Sequence, residues 1–201
     1  MTDEAPTKGE RTSRAIIDAA YDLIVEQGYA ATSMRQIADK AGLALGGIYN
    51  HFSSKEEVFE AILEERHPFF QIIPLLNSTQ GDSIESFARN AAHTLIAELG
   101  HHPEFLNLLL IEIVEFKGSH VPLIFEKMMP MILELAQRLS SLDGNMREIP
   151  QIVLVRAFMG MFFSYFITET LLNHIPFVEM PPDALDHFVD IFLHGIVLER
   201  K

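Results

Sequence analysis

Few residues of this chain are spaced for chemistry on a bound group. Nine histidines invite a metal site. His101 and His102 are adjacent, so on a helix they point apart; His187 and His194 are seven apart, on one face but two turns distant. No histidine pair has the i, i+4 spacing that lets two imidazoles share one ion. Cysteine is absent, which excludes disulfides and thiolate ligands. Glu112 and Glu115 stand three apart in the apolar run FLNLLLIEIVEF. With His93 they are the candidate acid and base groups if the chain is a helical enzyme. No Walker loop, dinucleotide fingerprint or nucleophile elbow accompanies them, and no strand precedes the glycines of ALGGIY. The expectation is no catalytic residue, no metal and no cofactor.

Nucleic acid is the other partner to weigh. A net charge of −13 argues against it, because phosphate binding usually leaves a basic footprint. Distribution matters more than the sum. Residues 33–55 hold Arg35, Lys40 and Lys55 against Asp39 alone, whereas residues 61–201 carry net −9. One short window is locally positive inside an acidic protein. That permits a local DNA contact and predicts weak non-specific binding.

The positioning elements read as helices. Apolar residues make up 48% of the chain and charged residues 21%, enough for a sizeable core. Thr7 and Glu10 form a capping box for a first helix, which Gly28 stops. Thr32 or Ser33 caps a second that Gly42 ends, and a third runs from about Ala44 to Asn50. Ser53 or Ser54 caps a fourth, limited or bent by Pro68 and Pro74. Longer helices follow: Ser83 to Leu99, one with Pro103 in its first turn ending near Gly118, one opened by Pro122 and kinked at Pro130, one from Pro150 to about Leu172, and a last from Asp183 to Leu198 past a loop containing Pro176. The fold class is all-α. Residues 1–53, with a flexible tail over 1–7, form a three-helix DNA-binding domain, and residues 54–201 form a helical bundle. The N-terminus lacks an apolar leader, and the longest apolar run, AFMGMFF, is too short for a membrane span. A cytoplasmic protein without membrane contact is expected.

Residues 33–50 have the spacing of a helix-turn-helix. Ala38 is small enough for the two helices to cross, and Gly42 supplies a left-handed turn. Ile37, Ala41, Leu43 and Ile48 fall where the unit packs. The stretch GYAATSMRQIADKAGLALGGIYNHFSSKEEVFEAIL then resembles the DNA-binding signature of the TetR family of transcriptional regulators. The likeness covers roughly residues 10–64.

The resemblance implies that Tyr49, His51 and Lys55 hold DNA phosphates, for which a phenol, an imidazole and an ammonium are suitable donors. Thr32 or Ser33 would bring a helix start to a phosphate. Arg35 matches a position where some relatives read guanine O6 and N7 as a fork. This chain departs from the commoner pattern at Ala44, Leu45 and Gly46, which offer no polar group. With Gly47 they form a bare surface that the duplex could approach closely. Leu45 and Ala44 would then meet thymine methyls, and Arg35 and Asn50 would supply polar discrimination.

AFMGMFFSYFI is apolar on nearly every side, which suggests a second subunit against one of them. The resemblance implies a homodimer through the last two helices, with Tyr165, Phe188, Phe192 and Ile196 as interface candidates and a quasi-palindromic duplex as partner. Phe105, Asn107, Glu112, Phe116, Met128, Arg156, Met159 and Phe163 are candidates for a pocket taking a small apolar effector. Glu112 and Glu115 are more simply surface residues. Repression relieved by the effector is the default by family analogy. The rival is a helical carrier or enzyme with an incidental helix-turn-helix shape.

Overall fold

The computed structural model describes residues 5–102, 104–142, 146–172, 175 and 180–197. Pro103, Pro176 and Leu198, used above as markers, lie outside them, as do residues 1–4 of the expected tail. The described residues form ten helices: α1 (Lys8–Gln27), α2 (Met34–Lys40), α3 (Leu45–Ile48), α4 (Lys55–Arg66), α5 (Phe69–Ser78), α6 (Ile84–Gly100), α7 (Phe105–Val114), α8 (Val121–Ser141), α9 (Gln151–Leu172) and α10 (Ala184–Ile196). They group into two compact units, residues 1–67 with 104–126, and residues 68–103 with 127–201.

In the first unit, Thr7 and Glu10 make the expected reciprocal caps, and Gly28 ends α1 with φ 86°. Ile16, Ile17, Ala20 and Ile24 of α1 are buried with Val58, Phe59, Ile62 and Leu63 of α4. Ser54 caps α4 through the Glu57 N–H, while Ser53 bonds the Glu57 carboxylate. The Arg66 guanidinium meets Asp18 and lies 4.5 Å from the Tyr21 ring centre, which ties the end of α4 back to α1. Pro68 ends α4 outright: His67 takes extended backbone, ψ 118°, as the residue before a proline prefers. α5 is therefore a separate helix, with Pro74 inside it. α7 stops at Val114, short of Gly118, because Lys117 and Gly118 both take left-handed backbone.

In the second unit, α6 packs with α5, α9 and α10. Arg138 of α8 donates to the carbonyls of Asn77 and Thr79, which the end of α5 would otherwise leave unpaired. Arg89 of α6 reaches Asp186 at 2.6 Å and Asp190 at 2.7 Å, which fixes the rotation of α10. Phe162 is fully buried at the centre of a ring cluster with Phe158 and Phe192.

α9 departs from expectation. Over its 22 residues it is long and apolar enough to cross a membrane by length and composition, although its uninterrupted apolar run is short. Only 17% of that apolar window is buried inside the protein. Ile152, Val153, Ala157, Gly160, Ser164 and Leu171 are exposed, with Arg156 among them.

Candidate nucleic-acid interface

The helix-turn-helix is assembled by backbone groups. Ser33 accepts the Gln36 N–H at 3.3 Å, and the Gln36 side chain accepts the Ser33 N–H at 2.9 Å. Thr32, the other candidate cap, is 2% exposed and instead donates its hydroxyl to the Gly28 carbonyl at 2.9 Å. That burial removes Thr32 from the DNA-facing set. Ile37 and Ala38 are fully buried at the crossing. Gly42 turns with φ 70°, and the Leu43 N–H then reaches back to the Ala38 carbonyl at 2.9 Å. Ile48 anchors α3 from beneath, and Phe52 is core.

The outward surface is nearly the one expected. Arg35, Ala44, Gly46 and Asn50 are exposed; Leu45, Gly47 and His51 are half-buried. Tyr49 is 51% exposed, so it does not pack into α1. Gln36, absent from the sequence-based set, is also exposed beside Arg35. Its capping-box spacing after Ser33 was the available signal. α3 covers only four residues, because Ala44 gives no side-chain cap and two of the four are glycine.

Lys55 is the main correction. Its Nζ donates to the carbonyls of Tyr29 at 2.6 Å and Thr32 at 2.7 Å and sits 4.0 Å from the Tyr29 ring centre. Burial holds its pKa below the usual lysine value. The ammonium therefore staples the α1–α2 connection to the start of α4. Lys55→Met should cost about 1–2 kcal/mol of stability, discounted for partial exposure. Urea unfolding checks this, and a lysine that only met phosphate would leave the transition unmoved.

The family model described as "Bacterial regulatory proteins, tetR family" matches residues 16–62, the span that holds this unit. Residues 16–62 are thus a DNA-binding domain of the TetR family of transcriptional regulators. It is 27% identical over 188 residues to the HTH-type transcriptional regulator YvkB of Bacillus subtilis, covering 92% of this chain and 97% of that protein. The HTH-type transcriptional repressor KstR2 of Rhodococcus jostii is 43% identical over 61 residues, 30% of this chain and 29% of that protein. A TetR-family regulator structure from Mesorhizobium loti superposes with a TM-score of 0.70 at 22% identity, covering 96% of this chain and all of that one.

The residues expected to bind effector divide between the two units. Phe105, Asn107, Glu112 and Phe116 lie in the first unit, and Met128, Arg156, Met159 and Phe163 in the second. Glu112 is buried, not surface, and bonds His120. Phe116 stacks on Phe59, while Asn107 and Arg156 are exposed. Met159 alone of the eight lines the apolar cavity of the second unit, with Leu76, Phe87, Leu154, Phe158 and Phe192. That cavity is about 30 Å³, too small in this conformation for a drug-sized effector.

The expected dimer residues are used within the chain itself. Tyr165, Phe192 and Ile196 are buried, and Phe188 packs edge-on to Tyr165 at 5.0 Å. The larger rings were drawn into the core. The opposite stripe of α10, with His187, Ile191 (62% exposed), His194 and Gly195, is the one left bare.

Proposed function

We propose that this TetR-family regulator is a homodimeric repressor whose α2–α3 units read a quasi-palindromic duplex, and that a small apolar effector releases it. The exposed, nearly unpolar face of α3, flanked by Arg35, Tyr49 and Asn50, carries the reading. Leu45 and Ala44 meet thymine methyls, Arg35 and Asn50 discriminate by hydrogen bonding, and Tyr49 and His51 position the head on phosphates.

The bare sides of α9 and α10 are the proposed contact between copies. Ala157, Gly160 and Ser164 follow one another along α9 at helical spacing, and small residues let helices approach closely. Arg156 on the same exposed side favours a protein partner over lipid, where a lone guanidinium would be costly. The reading places the protein in the cytoplasm with its DNA. The cavity beside Phe158 and Met159 is the proposed entry for effector: flexible thioether and ring repacking would open it. The effector needs only to prefer a conformer with the heads at the wrong separation, typically by about 1–3 kcal/mol.

Selection of bound duplexes from a random pool tests this. The expected result is a two-fold symmetric site bound in a salt-sensitive way. Leu45→Ala should relax the preference at one thymine per half-site, with about 1 kcal/mol lost there. Recovery of no sequence preference, or an unchanged profile for Leu45→Ala, would overturn the respective statement.

A further inference from the structure

A buried acid–imidazole pair occupies the corner between α7 and α8. Glu112 is 3% exposed and His120 7%. One carboxylate oxygen accepts the His120 backbone N–H at 2.8 Å, and the other faces ring Nδ1 at 2.7 Å. A carboxylate only accepts, so Nδ1 carries a proton and the neutral tautomer is fixed. Nε2 is then the atom that gains or loses charge. It faces Oε1 of Glu56 at 3.8 Å, and Glu56 lies in the first turn of α4 beside Lys55. The ring also packs edge-on to Phe59 of α4, at 6.0 Å, and to Phe116, at 4.6 Å.

The backbone of this corner is itself under tension. Lys117, φ 55°, and Gly118, φ 81°, are left-handed in succession. A lysine in that region costs free energy that its surroundings must offset. The two bonds from Glu112 to His120 close over the turn and hold it. The charged groups around the ring are Glu112 from α7 and Glu56 from α4. Glu115 and Lys55 stand further round the same aromatic cluster, where both act on Tyr29.

We infer that His120 is a positioning residue for the reading head: its imidazolium form joins the α7–α8 corner to Glu56 at the start of α4 and strengthens operator binding. A neutral ring turns a lone pair toward the Glu56 carboxylate. A protonated ring offers an N–H and a positive charge. Protonation therefore steadies the first turn of α4, whose neighbour Lys55 staples the α1–α2 connection. It also neutralises a carboxylate close in sequence to Tyr49 and His51, where it would repel phosphate. The inference rests on the DNA-binding reading above.

The pair to Glu56 is partly exposed, so the expected gain in affinity from pH 8 to pH 6 is roughly two- to fivefold. The test measures binding of the selected duplex across that range at fixed salt. His120→Asn keeps a donor where Nδ1 stands and cannot be protonated. Glu56→Gln removes the facing charge at an exposed position, so it does not depend on His120→Asn folding. Titration elsewhere in the protein and on the duplex is common to all three proteins, so the difference between wild type and variant is the readout. The wild type should be steeper than both variants by that two- to fivefold, with their slopes alike. By reciprocity, duplex binding should raise the titration midpoint of the His120 Cε1–H resonance. Superposed profiles with an unmoved midpoint would overturn the inference alone. Failure of the wild type to bind any duplex at any pH would overturn the regulator reading and this inference with it.

Discussion

Gly46→Ala and Gly47→Ala should each raise the melting temperature and weaken operator binding. The two effects have opposite signs because the glycines answer to different demands. Within the protein nothing requires them. Neither has positive φ. A Cβ on Gly46 would meet nothing within 4 Å, and one on Gly47 would meet only the Leu43 Cβ at 3.9 Å, an ordinary contact. Each glycine in a helix costs about 1 kcal/mol relative to alanine. Alanine should recover that, a rise of about 2–4 °C for a chain of this size. If the bare surface exists so that the duplex can come close, each added methyl forces it away. A single displaced contact costs about 1–3 kcal/mol, so affinity should fall about tenfold or more. The experiment pairs thermal unfolding with duplex titration on the same variants. It also separates close approach from its rival, a loose α3 that orders only on DNA. In that case alanine would preorganise the helix, and stability and affinity would rise together.

Local signals were the legible ones. The Thr7–Glu10 box, the helix-ending Gly28 and the left-handed turn at Gly42 were all readable, because each is a contact or dihedral fixed within a few residues. The length of α3 was misread by adding turn residues to a helix that its own composition weakens. The role of Lys55 was not legible: its acceptors are carbonyls 23 and 26 residues away, which carry no side-chain signature. The Glu112–His120 pair was hidden for a related reason. Their spacing of eight spans a turn whose left-handed lysine no propensity would favour. At α10 an apolar stripe suits the chain's own core as well as a partner, and telling them apart needed the positions of Tyr165 and Phe158, which pack on Phe188 and Phe192. Pocket residues were the least legible, since Met and Phe at helical spacing suit a closed core as well as an open cavity.

Acid should unfold this protein through His67 earlier than its carboxylates require. His67 ends α4, donating its N–H to the Leu63 carbonyl at 3.1 Å, and its ring stands edge-on to Phe105 at 5.4 Å. Burial pushes the imidazole down to about 4, because the charged form loses its water. The unfolded chain binds the proton near the ordinary value of about 6.5, so on acidification it takes up a proton that the folded chain refuses. The stability associated with the neutral ring is therefore complete above about pH 6.5 and is lost as pH falls toward 4. At pH 5 the loss from this group alone should be about 2 kcal/mol relative to pH 7.5. His67→Phe keeps a ring against Phe105 and removes the titration. Urea unfolding of both proteins at pH 7.5 and pH 5 gives the answer as a difference, in which the carboxylates and the other histidines cancel. The variant should lose about 2 kcal/mol less than the wild type over that interval. Equal losses would mean that water reaches the His67 ring freely, and that the junction between α4 and Pro68 opens more readily than its packing on Phe105 implies.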